Sequence, residues 1–216
     1  MKKGLAAPSL QTQRRYRVNR RGQFETVYQP LYDFTTYAAA GQTSLTFFQT
    51  PIGQSGKTYA DTNMESAGQL PSPKSMMVTA ISVVFFPGSA VNATGALTTT
   101  GVNWEDVNTV HKSGFLKLFC GSKDFIIDGP IGKFPPPFRL TGAAAMADAS
   151  TAAADLHSQI DYASMTGITY QIVPITIPPN QNFNVTLNWP TAVALPSTVA
   201  GRIGIILDGF LTRLSQ

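Results

Sequence analysis

The sequence predicts an all-β chain folded as a two-sheet sandwich, and three observations carry that expectation. Eighteen glycines and fifteen prolines in 216 residues favour many turns over long helices. Segments such as "FNVTLNW" (183–189) alternate apolar and polar residues with the period of two that a half-buried strand requires. The strand-like runs are joined by long, irregular connections, which suit a Greek-key sandwich better than the short hairpins of an up-and-down barrel. An apolar fraction of 43% supports a sizeable core, while only 13% of residues are charged, about half the usual share. So sparse a charge suits a surface that is largely covered by copies of itself or by other partners.

Residues 1–23 read as a basic extended arm with little apolar periodicity, and 24–216 as the β domain. "FETVYQPLYDFTTY" (24–37) is rich in aromatic and β-branched residues and is interrupted by Pro30. "SLTFFQ" (44–49) is a short strand. "MMVTAISVVFF" (76–86) is apolar on both alternating faces, so it is expected to lie sandwiched, and Pro87-Gly88 ends it. "NWEDVNTVHKSG" (103–114) has helix signals: Asn103 as N-cap, Asp106 three residues on, Lys112 near the end and Gly114 after it. Glu105 and Asp106 would be first-turn acids complementing the helix dipole. "FLKLF" (115–119) and "DFIID" (124–128) flank "CGSK" as a hairpin, and "GPIGKFPPPFRL" (129–140) is too proline-rich for a central strand.

The alanine-rich block 142–157 is either a weak helix or a mobile insertion. "ITYQIVPITI" (168–177) is a strand in which Pro174 marks an edge or bulge, and "PPNQ" (178–181) is a turn. In 183–189, Phe183, Val185, Leu187 and Trp189 point inward. "GRIGIILDGFLTRL" (201–214) closes the chain, its Gly204 and Gly209 marking a bend or close packing. Eight or nine strands with long crossings make the eight-stranded jelly roll the expected sandwich.

Charge is distributed unevenly. Residues 1–21 hold Lys2, Lys3, Arg14, Arg15, Arg17, Arg20 and Arg21 and no acid, whereas the remainder holds nine basic and twelve acidic side chains. The basic character therefore belongs to the arm, and the body is net acidic. Cys120 is the single cysteine, which excludes an intrachain disulfide and a multi-cysteine metal site. Leu5, Ala6 and Ala7 are cut short by Pro8, so no secretory leader is expected. No apolar run is long enough for a membrane-spanning helix.

Candidate chemistry is thin. Gly56-Lys57-Thr58 resembles the end of a nucleotide-binding P-loop, but the first glycine of that motif is replaced by Pro51 and no helix pattern follows. Gly53 and Gly56 are expected to form a turn, with Lys57 an ordinary polar loop residue. His111 and His157 lack metal-ligand spacing, and Cys120 reads as a small strand-end residue. Asp124 and Asp128 bracket one strand and read as its solvated ends rather than as a catalytic pair. Trp104 and Trp189 leave room for a sugar-binding platform, although Trp189 falls on the inward phase. No catalytic residue, cofactor or metal ligand is assigned, and no enzyme is expected.

The arm carries the functional signal. "RRYRVNRR" (14–21) sets Arg14, Arg15, Arg17, Arg20 and Arg21 around Tyr16. Guanidinium forks suit phosphate oxygens, and the tyrosine can stack on a base. The same residues can instead lie on the acids of neighbouring subunits. Together with "MVTAISVVFF", "FNVTLNWP" and "GRIGIILDGFLTRL", this arm resembles the single jelly-roll capsid proteins of small icosahedral viruses and phages. The resemblance is one of architecture along the whole chain. It implies a self-assembling, cofactor-free shell subunit of a virion, made in the host cytoplasm. Its partners would be copies of itself, other virion proteins and, through the arm, genomic nucleic acid. An accessory virion protein (a cement or vertex subunit) and a carbohydrate-binding sandwich are the alternatives.

Overall fold

The computed structural model describes residues 17–18, 24–88, 103–121, 128–136, 138–146, 157–164 and 170–215, with 17–18, 103–104, 138–146 and 157–164 described by backbone alone. These residues form twelve strands, one α-helix and one 3₁₀ turn. The strands are β1 (Arg17–Val18), β2 (Phe24–Tyr28), β3 (Leu31–Tyr37), β4 (Ser44–Phe47), β5 (Ser75–Phe86), β6 (Phe115–Cys120), β7 (Asp128–Pro130), β8 (Phe138–Met146), β9 (His157–Ser164), β10 (Tyr170–Ile177), β11 (Phe183–Asn188) and β12 (Gly201–Leu214). Helix α1 spans Asn103–Ser113, and Ile131–Lys133 form the 3₁₀ turn.

Two antiparallel sheets make an all-β sandwich. In the larger, β12 is flanked on one side by β5 and on the other by β2 and β3; β10 extends it beyond β5 and β1 beyond β2. The smaller has the order β4-β11-β6-β7, and β8 pairs with β9 in a separate ribbon. Strands β2 and β3 lie end to end along β12, with Phe24–Tyr28 opposite Leu214–Phe210 and Leu31–Tyr37 opposite Leu207–Gly201. Pro30 sits at the break, since it has no amide to give to the ladder.

Side chains facing between the sheets form one core. From the larger sheet come Leu31, Tyr37, Met76, Val78, Ile81, Val83, Phe85, Ile203, Ile205 and Leu207. From the smaller come Phe47, Leu116, Leu118, Phe183, Val185 and Leu187, and Trp189 follows on. Strand β11 shows the predicted alternation, buried at its odd-numbered positions. Strand β5 is buried on both faces over 80–85, while nearer its start Met77 is exposed on the outer face.

Proline and glycine punctuate the sheets as the sequence suggests. The β10–β5 register shifts between Gln171 and Ile175, around Pro174, on a strand at the end of its sheet. The β12–β5 register shifts at Asp208/Gly209. At Gly204 a Cβ would lie 2.1 Å from the Phe34 ring, so the ring lies across a position where any side chain would displace it.

Three expectations change. Residues 142–146 of the alanine-rich block belong to strand β8, paired with β9, rather than to a weak helix; cross-strand hydrogen bonding overrides alanine's helical preference. Residues 147–156 lie outside the described residues. The second hairpin strand, expected at 124–128, runs on from Asp128 through Pro130, where Gly129 and Pro130 are tolerated because β7 is an edge; residues 124–127 lie outside the described residues. Asp106 lies in the first turn of α1 but is fully buried, where its carboxylate accepts the Ser197 amide at 2.9 Å.

Candidate functional site at the root of the basic arm

Of the arm residues singled out in the sequence, Arg17 lies in β1, opposite Thr26, while Val18 lies opposite Glu25. Arg14, Arg15, Tyr16, Arg20 and Arg21 lie outside the described residues. The backbone thus brings Arg17–Val18 alongside β2, and the surface at that root can be built from its strands.

Val27 and Leu211 pack on the core, so by strand alternation Thr26, Tyr28, Phe210 and Thr212 occupy the opposite, outer face. Two rows run across the strands there. One is Thr26–Thr212–Ser75, with the two threonine hydroxyls 3.0 Å apart. The other is Tyr28–Phe210–Met77–Thr176. The Tyr28 and Phe210 rings meet edge to face at 5.8 Å. Tyr28 is 53% and Met77 39% exposed. The Tyr28 hydroxyl donates to the carboxylate of Asp208, whose pKa burial raises above the usual carboxylate range. Beside these rows, Arg213 Nε donates to Glu25 Oε1 at 2.7 Å.

Among the described residues, five acids of the body pair with cations of the chain. Besides Glu25, Asp61 pairs with Arg202 at 3.0 Å, Glu65 with Lys74 at 2.6 Å and Asp128 with Lys117 at 3.9 Å. The Thr58 amide, before any other influence, holds the Asp61 carboxyl below its ordinary pKa. Asp33, on β3, is matched by Lys57. Its Oδ2 also accepts the Phe48 amide at 2.5 Å, and burial pushes its pKa upward.

That last pair corrects the reading of "GQSGKTY". Gly53 and Gly56 do form the expected turn, both at positive φ, closed by the Gly53 amide donating to Lys57 O at 2.9 Å. Lys57 is not an ordinary loop residue, however, because its ammonium docks on the buried Asp33 carboxylate. The Thr58 amide and hydroxyl both donate to Asp61 Oδ2 at 3.0 Å. The lysine that a P-loop would aim at phosphate is thus turned inward to hold the loop on β3, and the hydroxyl that would meet Mg²⁺ closes a local turn with Asp61.

Other singled-out residues fall on the scaffold. Trp189 is buried, and its Nε1 donates to Val110 O at 3.1 Å, tying the end of β11 to α1; it offers no sugar platform. His111 is half-buried, with Nδ1 2.8 Å from Val107 O and its pKa lowered by burial. Cys120 ends β6, buried, its thiol pKa pushed up by that burial. Trp104 and His157 are placed by backbone only, on α1 and β9, and Asp124 lies outside the described residues. Among the described residues no cluster of three or more His, Cys, Asp or Glu could hold a metal ion, and no helix is long and apolar enough to cross a membrane.

The outer-face row was not singled out in the sequence. Its signal was present, since Tyr28, Met77 and Phe210 are large apolar residues on the phase opposite the core, but only the register aligns them. Comparison with protein-family models, curated proteins and solved structures gives no match for this chain.

Proposed function

We propose that this chain is the subunit of a self-assembling virion shell, a jelly roll whose basic arm engages a polyanionic strand. The strand order is the observation that carries the reading. Count β2 and β3 as one interrupted strand and set aside the β8–β9 ribbon. With the two-residue β1 of the arm also set aside, the remaining eight strands pair antiparallel as first with eighth (β3–β12), second with seventh (β4–β11), third with sixth (β5–β10) and fourth with fifth (β6–β7). Contacts β12–β5 and β11–β6 join these pairs into the two sheets. This order supports reading the sandwich as a jelly roll, a long hairpin rolled up into two sheets as in many capsid and lectin domains.

Fold alone does not assign function; the arm separates a shell subunit from a sugar-binding sandwich. Seven basic residues and no acid precede residue 22. Five of the body's acids, Glu25, Asp33, Asp61, Glu65 and Asp128, already face cations of their own chain. This leaves fewer acids for a neighbour's arm to pair with and favours phosphate as the counter-charge.

The test is assembly of the full-length protein across a salt series, with and without single-stranded DNA or RNA, followed by light scattering and negative-stain microscopy. A companion variant carries Gln at positions 14, 15, 17, 20 and 21. Closed particles of uniform diameter are expected from the parent chain. Nucleic-acid affinity should fall with salt by about 0.7 log units per decade for each phosphate contacted, hence by about 3.5 for five arginines. That dependence should largely vanish in the variant. A protein that stays monomeric at every concentration and ignores nucleic acid overturns the proposal. Assembly only on a shell made by a different protein assigns the accessory role instead.

A further inference from the structure

We infer that the outer face of the larger sheet at the arm root, the Tyr28–Phe210–Met77 row with the Thr26–Thr212–Ser75 row beside it, is a docking surface for single-stranded nucleic acid. The inference rests on the proposed function and adds a body site to it.

Three features of the surface select that occupant. Firstly, the apolar row spans three adjacent strands in register, and neighbouring strands lie about 4.8 Å apart, so the row measures about 10 Å. Unstacked bases need such aromatic and apolar support, whereas a duplex keeps its bases inside and presents phosphates. Secondly, the neighbouring row consists of hydroxyls, Thr26, Thr212 and Ser75, groups that donate to phosphate oxygens without fixing a sequence. Thirdly, charge complementarity favours a polyanion: β1 pairs with β2 so that Arg17 stands opposite Thr26 at the edge of this face, and Arg17 belongs to a sequence segment, 1–21, with seven basic residues and no acid. Of the acids at the root, Glu25 is held by Arg213 and Asp208 accepts the Tyr28 hydroxyl. A second copy of the chain would cover the same apolar row, but its body offers only a sparse net negative charge, twelve acids against nine basic residues, where a nucleic-acid strand brings one charge per nucleotide.

The experiment uses the full chain and a fluorescein-labelled twenty-nucleotide oligo-dT, with a mixed-sequence duplex of equal length as competitor. Binding is read by anisotropy at a salt concentration where particles are dissociated. The parent protein is expected to prefer the single strand by about tenfold. The double variant Tyr28→Ala/Met77→Ser, its fold checked by circular dichroism and thermal melting, should lose about tenfold in single-strand affinity and retain its duplex affinity and salt slope. Photo-crosslinking to a 5-bromouracil oligonucleotide, read by peptide mass spectrometry, should label the peptide containing Tyr28 and reports on the site even if that variant misfolds.

Unchanged single-strand affinity in a folded double variant, while the arginine-to-glutamine variant loses binding, overturns the platform and leaves the arm's role standing. A parent protein that binds neither oligonucleotide overturns both. If the double variant binds normally but no longer forms particles, the face is a contact between subunits and this inference fails.

Discussion

Replacing Lys57 by Met tests the reading of the buried ion pair directly. Asp33 is 1% exposed and the Lys57 side chain 16%, so the substitution keeps most of the aliphatic stem and strands a carboxylate away from water. Removing one partner of a buried pair typically costs about 3–5 kcal/mol, but a carboxylate can relieve the cost by taking up a proton. At pH 7 that route is bounded by the work of protonating a group whose ordinary pKa is 3.8, at most about 4 kcal/mol at about 1.36 kcal/mol per pH unit. The retained Phe48 amide and the partial exposure of position 57 bring the expected loss to about 2–3 kcal/mol.

The sign of the pH dependence follows from the raised folded-state pKa of Asp33. Its stabilising contribution is fully present below 3.8 and is lost as pH rises through the folded value. Removing Lys57 raises that value further, so the penalty relative to the parent should be near zero around pH 4 and grow toward neutrality. Urea unfolding followed by tryptophan fluorescence at pH 4.5, 6.0 and 7.5 measures this. The loss at neutral pH corresponds to a Tm decrease of about 4–12 °C for a chain of this size. Adding Asp33→Asn, which keeps an acceptor for the Phe48 amide, should restore most of it. A loss below about 0.5 kcal/mol at pH 7.5, or one that does not change with pH, refutes the assignment of a buried, mutually dependent pair.

Gly204→Ala should destabilise by about 1–3 kcal/mol, as overpacking does, because the new Cβ lies where the Phe34 ring now rests; equilibrium unfolding reads the change, and a neutral result would mean that the ring swings aside freely. Cys120 should react with a thiol reagent at least tenfold more slowly in the native protein than in urea, since it is buried and its thiolate disfavoured; equal rates would refute its burial.

Strand identities were legible wherever local pattern and long-range packing demand the same thing. Residues 183–189 alternate, and they are buried in alternation; 76–86 lack a polar phase, and β5 is buried on both faces over 80–85. The helix at 103–113 was legible from its capping residues and first-turn acids, and Pro174 from its missing amide. The alanine-rich block misled because intrinsic helix preference is a fraction of a kcal/mol per residue, while pairing along β9 recruits a whole ladder of hydrogen bonds. At the arm, sequence supplied the charge and the register of β1 supplied the location of Arg17.

Composition and periodicity by themselves determined the all-β class, the inward face of each clear strand, the single-cysteine chemistry and the concentration of positive charge before residue 22. These are properties of residues and their near neighbours, set by side-chain polarity, backbone freedom and the period of two. Only the tertiary structure decided that Lys57 meets Asp33, that Phe34 lies over Gly204, and that Tyr28, Phe210 and Met77 form one row. Phe210 lies more than a hundred residues from both of its row neighbours. Contacts between residues so far apart depend on register and strand order, which the whole chain settles when it buries its apolar faces together.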